Sequence, residues 1–316
     1  MEWLMAGVGL LILILAGDFL VKGAVNLSLR IGIPSMIVSL TVVAFGTSAP
    51  ELLISIRAVL DNVPGIALGN VVGSNTANIL MVLGIPALLA TMHTSECDSR
   101  KSFVMMIAGS LLFIALAFTG VLTWWTGLIL LAALAYVLGD AIRDSYLHRK
   151  AAKAAIPVEE EVEGADPSLP WWRILFYLAI GLIGLPVGAQ ILVENAQVIA
   201  REFGVSDTVI GLTLVALGTS LPELATTTMA AIRRQADVAL GNVIGSNLFN
   251  LLAIIGVASL VGPIPVDPEF LRVDLWVMLG ASLLLIPFVF MKMNITKVWG
   301  ILFCALYGFY VVSIVT

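Results

Sequence analysis

Glu51 and Glu223 each interrupt a long apolar run, and no lysine or arginine nearby in sequence could pair with either inside a bilayer. The same residues precede both: Gly46-Thr47-Ser48-Ala49-Pro50-Glu51 and Gly218-Thr219-Ser220-Leu221-Pro222-Glu223. Each copy puts a carboxylate, two hydroxyls and a helix-breaking proline where lipid would penalise all of them. Ionisable groups inside a membrane are expensive and mark ion or substrate pathways. Pro50 supplies no N–H and clashes with the preceding turn, so the helix breaks or kinks there. Carbonyls near Ala44 and Phe45 are then expected to be free to face a cation. Thr47 lies four residues before Glu51, which places both on one helix face.

A second block follows each copy. Gly69-Asn70-Val71-Val72-Gly73-Ser74-Asn75 ends in Asn78, and Gly241-Asn242-Val243-Ile244-Gly245-Ser246-Asn247 ends in Asn250. Ser74 and Asn78 are four apart, as are Ser246 and Asn250, so each pair shares a face. Gly69, Gly73, Gly241 and Gly245 have the small-xxx-small spacing that lets helices approach closely. The candidate site is therefore Glu51, Glu223, Thr47, Thr219, Ser48, Ser220, Ser74, Ser246, Asn78 and Asn250. Every donor is a hard oxygen, which suits Ca²⁺, Na⁺ or Mg²⁺ over softer metals. Two carboxylates neutralise one divalent cation, and a cage built mostly from protein oxygen favours Ca²⁺ over the tightly hydrated Mg²⁺. Asn70, Asn75, Asn242 and Asn247 also repeat, as ligands or as packing and capping residues.

The two blocks belong to one duplicated stretch, Thr41 to Gly84 and Thr213 to Gly256, aligned without a gap and identical at roughly half the positions. Self-similarity at a constant offset is the mark of an internal repeat. The whole chain has 316 residues, 60% hydrophobic and 12% charged, with a mean hydropathy of +1.06. Apolar runs of about 20 residues or more are helical spans, since barrel strands need only 9–11. The sequence predicts an all-α polytopic membrane protein with ten transmembrane helices. They run near Trp3–Val25, Pro34–Leu60, Gly65–Ala90, Phe103–Phe118 and Trp124–Ile142, then Trp171–Ala196, Ser206–Ile232, Val238–Val261, Phe270–Phe290 and Trp299–Ile314.

Five spans per half is an odd number, so the two halves enter the membrane in opposite directions. Inverted five-helix repeats are an architecture of secondary transporters. The expected organisation is 1–143 as the first repeat, 144–170 as a linker and 171–316 as the second repeat. The linker carries His148, Arg149, Lys150 and Lys153, then the acidic run Glu159, Glu160, Glu161 and Glu163. With the N-terminus outside, the inner loops and span ends collect Lys22, Arg30, Arg100, Lys101, Arg143, Arg149, Lys150, Lys153, Arg173, Arg233, Arg234, Lys292 and Lys297; the outer ones collect Arg57, Arg201 and Arg272. This bias predicts both termini outside and a cytoplasmic linker. The first span lacks a basic leader and a small-residue cleavage site, so it is expected to be retained.

Other residues point elsewhere. Asp18 and Lys22 are spaced for an ion pair; the counterparts Gln190 and Glu194 do not repeat it. Asp140 and Asp274 lie near span ends. Cys97 and Cys304 are far apart with no metal-ligand neighbours, and His93 and His148 fall in polar stretches. No disulfide, zinc site, cofactor or nucleic-acid partner is expected. An intramembrane enzyme would need a base for Ser48 or Ser220, and no histidine lies in a span. A channel would need a repeated filter around a symmetry axis.

At these two motifs the chain resembles the calcium/cation antiporter superfamily, and most closely its sodium/calcium exchanger branch with bacterial and archaeal members. The resemblance implies Ca²⁺ exchange for Na⁺ by alternating access in a prokaryotic plasma or inner membrane, by a monomer. It makes Glu51 and Glu223 shared ligands of Ca²⁺ and the coupling ion, with Thr47, Thr219, Ser48, Ser220, Ser74, Ser246, Asn78 and the Ala44 and Ala216 carbonyls contributing. It also implies that the first and sixth helices slide across a rigid eight-helix core. One position departs: well-studied sodium/calcium exchangers carry aspartate where this chain has Asn250. An H⁺-coupled or K⁺-dependent antiporter of the same superfamily is the alternative reading, and a channel the alternative from another class.

Overall fold

The computed structural model describes residues 1–152, 166, 168–204 and 216–315. The acidic run of the linker, Lys153 and part of the expected span from Ser206 lie outside them. The described residues are helical apart from short connections and one two-stranded ribbon. In order the helices are α1 (Glu2–Ile31), α2 (Ser35–Thr47), α3 (Ala49–Leu60), α4 (Gly65–Leu89), α5 (Arg100–Ala117) and α6 (Trp124–Ala152). The second half contributes α7 (Trp171–Glu202), α8 (Ala216–Thr219), α9 (Leu221–Ile232), α10 (Ala236–Val261), α11 (Pro268–Phe290) and α12 (Lys297–Val315).

Seven of these helices are long and apolar enough to cross a membrane, or eight when the bent pair α2–α3 is taken as one span. α12 is a further, shorter apolar helix. α6 continues to Ala152, so the start of the expected linker, His148 included, is helical rather than loop. Nothing in 143–152 breaks a helix, because neither proline nor glycine occurs there.

The helices pack as two apolar assemblies. α1 and α7 lie against each other and share a cluster built from Leu13, Ala16, Leu20, Ile174, Leu178 and Leu185. Glycine permits this approach: a Cβ at Gly181 would stand 2.5 Å from the Leu20 Cβ, and one at Gly9 would stand 2.6 Å from the Leu192 backbone nitrogen. Lipid is as apolar as leucine, so close van der Waals packing of this kind holds such helices together. The second assembly gathers the buried faces of α4, α5 and α10 with parts of α2, α3, α6, α9, α11 and α12. Its loops are pinned twice. β1 (Val121–Leu122) pairs antiparallel with β2 (Ile264–Pro265), and Met92 exchanges backbone hydrogen bonds with Ile295 at 3.0 and 3.1 Å.

α1 also meets the second assembly. Gly17 faces the Ala225 carbonyl, and Asp18 pairs with both Lys22 at 2.8 Å and Arg233 beyond the end of α9. The expected Asp18–Lys22 pair is therefore part of a three-residue cluster. At the counterpart positions the Gln190 amide donates to Glu194 at 2.8 Å, a hydrogen bond in place of an ion pair at the same i,i+4 spacing. Asp140 pairs with Lys101 at 2.6 Å, and Asp274 accepts from the Tyr310 hydroxyl at 3.5 Å. Cys97 and Cys304 are free thiols. Burial, with Asp237 alongside, pushes the Cys97 thiol far above the ordinary thiol range, so it is no thiolate ligand at neutral pH.

Candidate cation site

The helix break that the proline predicts is present. α2 and α3 meet at a 44° bend, and Ser48 at the break has φ −85° and ψ 4°. Ser220 breaks the second copy at φ −86° and ψ 2°. The middle of α2, Ser39–Val43, is π-helical. Proline falls in the first turn of both α3 and α9, where its missing N–H would be unused anyway. Glu51 and Glu223 follow in those same first turns and are each 1% exposed. A helix N-terminus favours a carboxylate at that position.

Two expectations need correcting. The Ala44 carbonyl is not freed: it accepts from the Ser48 N–H at 3.0 Å and from the Thr47 hydroxyl at 3.3 Å. Pro50 can withhold a donor only from the carbonyl four residues back, which is that of Gly46. The shared face of Thr47 and Glu51 is also interrupted, because the break at Ser48 puts them on different helices. Ala216 opens α8 at the edge of the described residues.

The break brings the two halves into direct contact. The Ser48 hydroxyl donates to Glu223 Oε1 at 3.3 Å. The Thr47 hydroxyl shares its one proton between the Ala44 carbonyl and Asn242 Oδ1, each at 3.3 Å, and lies 3.4 Å from the Ser246 hydroxyl. Ser74 and Ser220 are buried, and Thr219 is half-buried. α10 passes close to α2 because a Cβ at Gly241 would stand 2.7 Å from the Met36 carbonyl, and one at Gly245 would strike the Leu40 carbonyl. Residues 208, 211 and 212, which correspond to Met36, Ser39 and Leu40, lie outside the described residues.

Four asparagines bond to one another across the two copies. The Asn75 amide donates to the Asn247 carbonyl at 3.1 Å, and the Asn247 amide returns the bond to the Asn75 carbonyl at 3.3 Å. The Asn78 amide donates to Asn247 Oδ1 and the Asn250 amide to Asn75 Oδ1, both at 3.0 Å. Each bond has its mirror when 172 residues, the separation of Asn75 from Asn247, are added or subtracted. Asn70 and Asn242 support the glutamates in the same paired way. Asn70 donates to the Glu51 carbonyl at 3.4 Å and the Ser55 hydroxyl at 3.3 Å; Asn242 donates to the Glu223 carbonyl at 3.4 Å and the Thr227 hydroxyl at 3.1 Å. Sequence reasoning missed Ser55 and Thr227. The signal was a hydroxyl four residues after each glutamate.

Helix geometry is altered at these asparagines. α10 becomes π-helical over Phe249–Ile254, and in α4 the Val82 N–H reaches back five residues to the Ala77 carbonyl at 2.9 Å. Such π-turns occur often at functional sites. Among the described residues, several buried oxygens have no hydrogen-bond partner: Glu51 Oε2, Glu223 Oε2, Asn78 Oδ1, Asn250 Oδ1 and Ser220 Oγ. The first four are two repeat-related pairs. An unsatisfied buried polar atom costs about 1–3 kcal/mol, more when charged, so a set of acceptors facing no donor fits a cation. Among the described residues no cluster of three or more His, Cys, Asp and Glu side chains occurs. The donor set is two carboxylates completed by amides and hydroxyls, which is hard-cation chemistry.

The family profile described as sodium/calcium exchanger protein matches residues 1–139 and 173–316. Sodium/calcium exchanger MaX1 of Methanosarcina acetivorans is 32% identical over 334 aligned residues, covering 95% of this chain and 94% of that protein. Inner membrane protein YrbG of Escherichia coli is 34% identical over 278 residues, covering 88% of this chain and 85% of that protein. Among solved structures, the sodium-calcium exchanger NCX_Mj soaked with Na⁺ and Sr²⁺ superposes with a TM-score of 0.82 at 32% identity, covering 100% of this chain and 98% of that one.

Proposed function

The chain belongs to the sodium/calcium exchanger protein family, and on that premise we propose that it is a secondary active antiporter exchanging Ca²⁺ for Na⁺ at a site near the membrane midplane. The observation that carries this reading is the set of buried, unpartnered oxygens in repeat-related pairs, Glu51 with Glu223 and Asn78 with Asn250. Two ionised carboxylates balance one Ca²⁺ or two monovalent ions. The amide and hydroxyl oxygens of Asn78, Asn250, Thr47, Thr219, Ser48, Ser220, Ser74 and Ser246 replace water around the ion.

The proposed architecture is ten spans in two inverted five-helix repeats, 1–143 and 171–316 around a linker at 144–170. The paired hydrogen bonds at a constant offset support it. So do the two loop pins: Met92 and Ile264 are themselves 172 residues apart, the offset that relates Asn75 to Asn247. An odd number of spans per repeat places these pins on opposite membrane faces. The lysine and arginine distribution supports outside termini and a cytoplasmic linker in a prokaryotic inner membrane, with a monomer as the transporting unit.

Alternating access is assigned to α1 and α7, the first and sixth spans, moving against the remaining helices. Their shared apolar cluster, to which α2 adds Val38 and Val43, and their close backbone packing favour motion as a pair. The deciding experiment is Ca²⁺ flux in proteoliposomes under separate Na⁺, K⁺ and pH gradients. Uptake driven by an outward Na⁺ gradient alone supports Na⁺ coupling. Uptake driven only by a pH gradient, or needing K⁺, replaces the coupling ion while keeping the site. Flux indifferent to every counter-ion gradient overturns exchange in favour of a channel.

A further inference from the structure

An amide side chain offers a cation either an oxygen or an NH₂ group of nearly the same size. Only the oxygen is a ligand; the NH₂ group turned inward would repel the ion. Asn78 and Asn250 therefore need something that decides which way they face. That decision can be traced to backbone carbonyls, which only accept. The Asn247 carbonyl takes the Asn75 NH₂ at 3.1 Å. This forces Asn75 Oδ1 to the other side, where it takes the Asn250 NH₂ at 3.0 Å. Asn250 Oδ1 is then left buried and unpartnered. The reciprocal relay runs from the Asn75 carbonyl through Asn247, at 3.3 Å, to Asn78, at 3.0 Å, and ends on the unpartnered Asn78 Oδ1.

We propose that Asn75 and Asn247 are positioning residues that lock Asn250 and Asn78 with their amide oxygens toward the transported cation. Each half of the chain thereby orients a ligand that belongs to the other half. Asn75 and Asn247 are each 1% exposed, so no water competes for the relay. The inference rests on the cation reading of Asn78 and Asn250 given above.

The test is Ca²⁺ uptake by proteoliposomes, reading KM and kcat for single and paired alanine variants. Orienting groups behind a metal ligand typically matter by about 10- to 100-fold in affinity, and Asn75→Ala is expected to raise the Ca²⁺ KM by that much. Adding Asn250→Ala to Asn75→Ala should change KM by no more than about twofold further, because both remove the same ligand. Adding Asn78→Ala instead should multiply the effect. Asn247→Ala should show the crossed pattern, redundant with Asn78→Ala and multiplicative with Asn250→Ala. A general packing role would not distinguish the two partners. If Asn75→Ala is not recovered folded, the Asn247 cycle decides alone. Effects that multiply equally with both partners, or an unchanged KM in Asn75→Ala and Asn247→Ala, overturn the positioning role while leaving the site. Asn250→Ala and Asn78→Ala that both keep the wild-type KM overturn the cation reading itself, and the relay with it.

Discussion

The Ser48 hydroxyl donates to the Glu223 carboxylate across 3.3 Å, although the two residues stand 175 apart in the chain. The break at Ser48 in the first half thus serves the glutamate of the second half, and the candidate site exists only where the halves meet. Glu51→Gln or Glu223→Gln removes one of the two negative charges without changing shape. Either variant is expected to lower Ca²⁺ uptake at least about 100-fold, since breaking charge balance at a buried ion site costs about 3–5 kcal/mol. Uptake in proteoliposomes, with size-exclusion elution as the folding control, measures this; wild-type uptake in either variant would sink the assignment.

Gly245 lets α10 lie against α2, and a Cβ there would stand 2.6 Å from the Ala44 Cβ as well as striking the Leu40 carbonyl. Backbone cannot yield as a flexible side chain does. Gly245→Ala is expected to cost about 1–3 kcal/mol as overpacking and to lower the thermal unfolding midpoint in detergent. An unchanged midpoint would show that the two helices are free to separate.

Asp18 ties α1 to Arg233 at the end of α9, with the two side chains 17% and 21% exposed. If α1 slides against the other helices, this pair favours one of its positions. Removing one partner of a partly exposed pair is worth about 1 kcal/mol, so Asp18→Asn should change the transport rate several-fold while leaving equilibrium Ca²⁺ binding near wild type. Paired measurement of uptake kinetics and Ca²⁺ binding in detergent checks this. A changed binding constant with an unchanged rate would assign Asp18 to the site's structure rather than to movement.

The basic residues predict a cytoplasmic linker. A single cysteine introduced at Glu160, in a Cys97→Ser, Cys304→Ser background, should resist membrane-impermeant maleimide in intact cells and react after the membrane is opened. Labelling in intact cells would invert the whole topology.

Asn250 leaves the buried site with two carboxylates, Glu51 and Glu223. A third Na⁺ would place an uncompensated positive charge in hydrocarbon, which is expensive. Exchange is therefore expected to be electroneutral, two monovalent cations per Ca²⁺, provided the returning carrier has both acids neutralised. Ca²⁺ uptake under an imposed potassium–valinomycin potential tests this. A rate or end-point that follows voltage would require another charge in the cycle.

Much of this protein is legible in the one-dimensional chain because the responsible physics is local or compositional. Apolar runs specify helices in lipid whatever they pack against, Pro50 and Pro222 break their helices by covalent geometry, and the repeated oxygens of Glu51, Glu223, Asn78 and Asn250 mark a candidate hard-cation site. The sequence also displays Asn75 and Asn247, but an asparagine carries a donor and an acceptor on the same short stem. Nothing within its own helix says which end faces inward. The Ala44 carbonyl, read as free, proved to be capped by Ser48 and Thr47, because the turn before the break stays hydrogen-bonded. α6 ran on past its apolar stretch, since no residue there stops a helix. The orientation of the four asparagines was decided only when the second half of the chain came to lie against the first. A hydrogen bond acquires its direction from its partner, and here the partners are 169 to 175 residues away.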